Sequence, residues 1–266
     1  MDLIQALAIN AALSAACFMA LWAISIAIKD VSFVDSYWAI GMVILAIASL
    51  IESGPPTPHR LALTLLVAVW GLRLGVHLFL RWRAHGADPR YSAMFAHAQT
   101  QRGWGFATSA LLLVFALQAP LQFIVSLPVQ LGQIGPAPPA LGPIAWVGIA
   151  LALTGIAFES IGDLQLTRFK ANPANQGKVL QTGLWRLTRH PNYFGDACLW
   201  WGLFLVAAET PYGLWSLPGP VLLTVLLTRW SGVPTVEGRM KRRRPDYEAY
   251  VARTSGFIPW FPKKAS

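Results

Sequence analysis

Seven apolar runs alternate with short polar or Pro/Gly-rich breaks, at roughly 3–28, 33–51, 61–80, 104–127, 143–164, 194–208 and 212–228. A bilayer core is crossed by roughly 20 apolar helical residues, so the pattern predicts an all-α polytopic membrane protein with seven transmembrane helices. The sixth run is short and needs tilted neighbours or local thinning to cross. Lys29-Asp30, the turn at 54–58, the uncharged stretch 128–143 and Pro211 supply the breaks. No internal repeat or low-complexity segment interrupts the series. Gly71 and Gly75, one turn apart in the third run, predict a close helix contact.

Composition agrees with a bilayer protein. Hydrophobic residues make up 55% of the chain and charged residues 12%, with a mean hydropathy of +0.49. The 12 Trp suit interfacial belts. The net charge of +9 would point to nucleic acid only on a basic soluble face, and most of this chain is apolar. Cys17 and Cys198 both lie in apolar runs and predict no disulfide framework. The first run has no basic leader or cleavage site and reads as a retained helix. Of the 21 Lys and Arg residues, all but Arg60 and Arg73 fall on one side of a seven-span topology. The positive-inside rule then places the N-terminus outside and the C-terminus in the cytoplasm.

That topology concentrates polar residues near the cytoplasmic ends. Asp35 lies just inside the second helix, His77 just inside the third with Arg73 one turn deeper, Glu159 and Asp163 at the end of the fifth, and Asn192 and Asp196 at the start of the sixth. Ionisable groups at such depth are costly and face a partner or a wet cavity, so a polar cavity open to the cytoplasm is expected. Trp70, Arg73, His77 and Arg81 recur at spacings of three and four and share one helix face, as do Asp35 and Trp38. Beside Arg73, Asp35 would stay ionised; shielded by apolar neighbours it could donate a proton. The other reading is an Asp35–Arg73 ion pair that only fixes helix packing.

Residues 183–202, GLWRLTRHPNYFGDACLWWG, lead from a basic turn into an apolar helix. Pro191 disfavours helix at His190 and suits a first turn, while Arg186, Arg189 and His190 crowd the end where helix N–H groups are unpaired. This can hold a phosphorylated cofactor, or can be simply a positively flanked membrane helix. KRRR at 241–244 reads either as a juxtamembrane basic cluster for anionic lipid or, with Arg239 and Arg243 on one helical face, as a phosphate site. There is no G-x-G-x-x-G, no Walker loop, no metal-binding spacing among the five His and no readable Ser-His-Asp order.

RHPNYFGD, with SFVDSYW upstream and SGVPTVEGRM and YEAYVARTSGFIPWFPK downstream, resembles the steroid 5-alpha-reductase family, which includes sterol C14 and C7 reductases, and most closely its bacterial membrane branch. The resemblance implies an NADPH-dependent reductase of an activated C=C bond in a lipophilic, steroid-like or enone substrate, in a bacterial inner membrane with the cofactor site facing the cytoplasm. Residues 1–127 would form the substrate side and 143–266 the cofactor half. Asp35 takes the place of the family's polarising acid, with Arg73 and His77 as companion catalytic candidates and Trp38 and Trp70 against substrate. The family's partner Tyr is not matched: Trp70 stands there, leaving Tyr37 or His77 as substitutes. FESIGDLQLTRFKANPANQGKV resembles the cofactor segment and nominates Asp163, Arg168, Lys170 and Lys178. Arg189, His190, Asn192, Tyr193, Asp196, Arg239, Arg243 and Tyr247 complete the implied cofactor set. Guanidinium forks suit phosphate oxygens, while Lys acts as a point charge. Isoprenylcysteine-type methyltransferases carry a related Arg-His-Pro-x-Tyr-x-Gly block and Ile-Pro tail, so an S-adenosylmethionine-dependent methyltransferase is the rival enzyme. A lipid-binding or transporter-like protein is the non-enzymatic one.

Overall fold

The computed structural model describes residues 2–230, 232–244 and 246–263 and divides the chain into two compact units. The first comprises Met1–Trp146 and Leu203–Gly219, the second Val147–Gly202 and Pro220–Ser266. Lys264, counted in the charge asymmetry, and Ser231 of the SGVPTVEGRM stretch lie outside the described residues.

In the first unit, α1 (Leu3–Ile28) is capped by Asp2, whose carboxylate accepts from the Gln5 amide at 2.8 Å. It ends at Lys29, which adopts the left-handed conformation at φ 57°. α2 (Val34–Glu52) and α3 (Pro58–His85) pack along the two expected glycines. A Cβ on Gly71 would stand 2.5 Å from Val43 Cγ2 and 2.8 Å from the Ala39 carbonyl; one on Gly75 would stand 2.6 Å from Ile40 Cδ1. Only glycine lets the backbones approach so closely. Thr57 and Pro58 start α3, and Asp88 caps the short α4 (Pro89–Arg102).

α5 (Phe106–Val125) contains Pro120 and a widened turn at Leu111–Phe115, and α6 (Leu127–Leu131) follows it after Ser126. Buried amides tie these elements together. Asn10 donates to Ser49 Oγ at 2.8 Å and to Gln130 Oε1 at 3.1 Å, and Gln133 donates to the Ala46 carbonyl at 2.9 Å. Where lipid offers no hydrogen bonds, polar groups must find partners inside the protein. Glu209 accepts from the amides of Gly142 and Ala145 at 2.8 and 2.9 Å and pairs with buried His59 at 2.9 Å. The carboxylate thus caps the start of α7 (Pro143–Ala171).

In the second unit, α7 packs on α8 (Pro191–Ala207) through small residues. A Cβ on Gly195 would meet the Gly155 carbonyl at 2.5 Å, and one on Gly202 the Gly148 carbonyl at 2.5 Å. α9 (Pro218–Val225) runs into a widened turn at Leu226–Trp230; α10 (Val233–Arg243) and α11 (Tyr247–Arg253) carry the basic tail.

Among the described residues, five helices, not seven, are long and apolar enough to cross a membrane: Leu3–Ile28, Val34–Glu52, Pro58–His85, Phe106–Val125 and Pro143–Ala171. The sixth run forms a helix of 17 residues. The seventh is divided by a tight turn at Gly213–Ser216 and restarts only at Pro218, because the prolines there remove donors that a continuous helix needs. The fifth continues past the expected boundary at 164 to Ala171, beyond its apolar part.

Candidate functional site

Asp35 stands in the first turn of α2 and faces α4. Its Oδ1 accepts from the Tyr91 hydroxyl at 2.8 Å, and its Oδ2 pairs with Arg90 Nη2 at 3.2 Å. Arg90 is also held by Asp88, 2.9 Å from the same nitrogen, and Gln118 donates to the Tyr91 hydroxyl from α5 at 3.4 Å. The cation against Asp35 is thus Arg90 of α4. Burial works against the Arg90 charge, but Asp88 and Asp35 together hold its pKa above the usual guanidinium value. Burial and then the Asp35 charge push the Tyr91 hydroxyl well above an ordinary phenol, so it remains protonated and donating. The outcome is a carboxylate with one oxygen on a hydroxyl and the other on a cation.

The hydroxyl against Asp35 is that of Tyr91, on α4. Tyr37, considered as a substitute, packs edge-on against Phe18 at 5.2 Å and faces an apolar groove of about 460 Å³ shared with Phe33, Phe79 and Trp82. Trp70 is fully buried, Trp38 half-buried, and Arg73 and His77 are half-buried on the Trp70 side of α3. Trp38 also offers its carbonyl to Gln122 at 2.8 Å.

In the second unit, Asn192 in the first turn of α8 donates to Asp163 on α7 at 3.4 Å, and Asp163 is buried. Arg168, Lys170, Lys178 and Arg243 are exposed, and Arg239 and Asp196 are half-buried. A carboxylate and an amide meeting at the α7–α8 contact, with Arg168 and Lys170 exposed further along α7, are donor and acceptor types that suit a phosphorylated dinucleotide.

Arg189 and His190 are committed to the tail. Glu237 of α10 accepts from Arg189 Nε at 2.8 Å and faces His190 Nε2 at 3.1 Å. Arg189 Nη1 also donates to the carbonyls of Val251 and Thr254. The Tyr193 ring lies parallel to His190, with centroids 5.4 Å apart. Burial opposes the Glu237 charge, but hydrogen bonds from His190 and Arg189 pull its pKa down to about 2. Tyr247 is buried alongside and is pushed up to about 12 by burial and the Glu237 charge.

Sequence reasoning missed Arg90, Tyr91, Gln118 and Glu237. Arg90 and Tyr91 sit just after Asp88-Pro89, a helix-start signal that could have marked α4 as a structured lid over α2. Nothing local marks Glu237, whose partners lie 47 and 48 positions upstream.

Two relatives match parts of the chain. It is 32% identical over 112 residues to the Delta(14)-sterol reductase of Ascobolus immersus, covering 37% of this chain and 24% of that protein. It is 33% identical over 72 residues to "Probable O-methyltransferase ustE" of Ustilaginoidea virens, covering 27% of this chain and 25% of that protein. The matched stretch thus spans about a quarter of the length of each relative. No solved structure matches the chain significantly. A family profile covers residues 21–254, and by that match the chain belongs to the family described as "Protein of unknown function (DUF1295)".

Proposed function

We propose that this protein is a membrane-embedded, NADPH-dependent reductase of an activated C=C bond in a lipophilic substrate. The observation that carries the reading is the Asp35–Tyr91 pair, a carboxylate and a phenol at 2.8 Å, anchored by Arg90. Such a pair can polarise a substrate carbonyl: the Tyr91 hydroxyl turns its proton from Asp35 to the oxygen as negative charge develops there, and the fixed Arg90 charge keeps the carboxylate oriented. The partial likeness to a sterol reductase supports the same chemistry.

NADPH supplies a hydride when bound. Asp163, Asn192 and Asp196 would hold its ribose and amide groups, and Arg168, Lys170, Lys178, Arg239 and Arg243 its phosphates. Arg189, His190, Tyr193 and Tyr247 serve that site by fixing the basic tail through Glu237. Seven spans with a cytoplasmic C-terminus complete the proposal; the two short helical stretches, 191–207 and 218–230, would cross where the bilayer thins.

A second reading, an S-adenosylmethionine-dependent methyltransferase, is favoured by the likeness to an O-methyltransferase. Nucleotide binding to the detergent-purified chain separates the two. Saturable binding of NADPH, with a chemical-shift or fluorescence change abolished by Asp163→Asn, is expected. Saturable binding of S-adenosylmethionine without NADPH binding overturns the reductase reading.

A further inference from the structure

We propose that the C-terminal strap is a membrane-surface foot: Ile258, Trp260 and Phe261 enter the interfacial layer of an anionic leaflet, and the basic end of α10 gathers its headgroups.

The strap is not a loose tail. The Arg189 amide donates to the Ser255 carbonyl at 2.9 Å, Thr188 Oγ1 to the Phe257 carbonyl at 2.8 Å, and the Trp260 amide to the Leu187 carbonyl at 2.9 Å. The Lys263 amide closes the strap on the Arg253 carbonyl at 2.9 Å. These bonds turn the backbone's polar groups inward and leave large apolar side chains outside. Ile258 is 66% exposed, Trp260 71% and Phe261 78%. Three such side chains held out together on a pinned backbone lose the hydrophobic gain of burial unless something covers them.

The surrounding charge selects what does. Arg186 and Lys263 are exposed on the same strapped segment, and Lys241, Arg242 and Arg243 are exposed at the end of α10. From 238 to 263 the sequence carries seven basic residues against two acidic ones, Asp246 and Glu248. Aromatic side chains with a predominantly cationic surround match a bilayer interface, where Trp sits at headgroup depth and Lys and Arg are drawn to anionic lipid. The chain carries long apolar helices of its own, so a bilayer is always at hand.

The test uses the full-length protein in nanodiscs of phosphatidylglycerol or phosphatidylcholine. Trp260 fluorescence is isolated by subtracting the spectrum of Trp260→Phe, with lipids brominated near the headgroup end as quencher. Expected are quenching of the Trp260 component and trypsin cleavage after Arg253 slowed by about tenfold in the anionic discs. A Lys241→Gln/Arg242→Gln variant, which spares the residues assigned to nucleotide, should lose the difference between the two lipids. The wild-type trypsin comparison needs no variant to fold. Equal cleavage in both lipids, with Trp260 quenched by aqueous acrylamide and not by bromine, overturns the foot. Bromine-insensitive Trp260 that crosslinks to a second copy would likewise overturn it, assigning the surface to self-association.

Discussion

Tyr91 donates to Asp35 across 2.8 Å while Arg90, its neighbour in sequence, holds the other oxygen of the same carboxylate at 3.2 Å. One turn of α4 thus supplies both a neutral donor and a counter-charge to one acid on α2. A structural ion pair and a proton-handling pair both use the phenol to satisfy the carboxylate's second oxygen, and they differ in what its loss does.

The first prediction separates those roles. With substrate and NADPH, Asp35→Asn and Tyr91→Phe should each slow single-turnover NADPH oxidation by ~10²–10⁴-fold while nucleotide binding survives. If Asp35 only fastens α2 to α4, the rate stays normal and the melting temperature drops. In that case Asp35→Asn/Arg90→Gln should recover part of the loss, because the guanidinium that faced the lost charge is gone as well, while the Arg90–Asp88 pair lost with it keeps the recovery partial.

Nucleotide binding is the second. Asn192→Ala and Asp196→Ala should each weaken NADPH by about 1–3 kcal/mol, the scale of a lost buried hydrogen bond. Charge removal at Arg239 and Arg243 should weaken NADPH more than NADH where either residue meets the 2′-phosphate. Titrations that match wild type in all four variants would remove the site from consideration.

The third concerns pH. Glu237 has a folded pKa of about 2 against an ordinary 4.5. A depressed carboxylate stabilises the native state fully above its unfolded value, and that contribution fades as pH falls from about 4.5 towards 2. In detergent, resistance of the tail to a protease active in acid should fall through that window in wild type. Glu237→Gln should show lower resistance at neutral pH and a flatter profile. Parallel profiles for the two proteins would mean that the Arg189–Glu237–His190 knot does not hold the tail.

Packing gives the fourth. At Gly71 a Cβ would lie 2.5 Å from Val43 and 2.8 Å from a backbone carbonyl, so Gly71→Ala must part α2 and α3. A destabilisation of about 1–3 kcal/mol is expected, visible as a lower melting temperature. Gly54→Ala, where no atom crowds the site, is strained only by its φ of 83° and should cost less, about 1 kcal/mol.

Topology is the fifth. Reporters fused after the C-terminus and within 128–143 should report opposite sides of the membrane, with the C-terminal one cytoplasmic. A periplasmic C-terminal signal would refute the orientation drawn from the basic residues.

Hydropathy runs determined the all-α membrane class and located five long helices among the seven expected, because an apolar run of about 20 residues suits a bilayer. Local chemistry determined the start of α8 at Pro191 and the close approach at Gly71 and Gly75, since proline and glycine act through their own backbones. Asp35 could be singled out as an acid out of place in an apolar helix, but its partners could not. Tyr91 and Arg90 lie 56 and 55 residues away, and only the turn of α4 over α2 brings them to one carboxylate. The same holds for Glu237 with Arg189 and His190: an acid in a basic tail reads as a surface charge until the strap at 255–260 folds alongside 187–189. Period and composition are written along the chain, whereas hydrogen bonds between distant segments depend on which elements the tertiary fold makes neighbours.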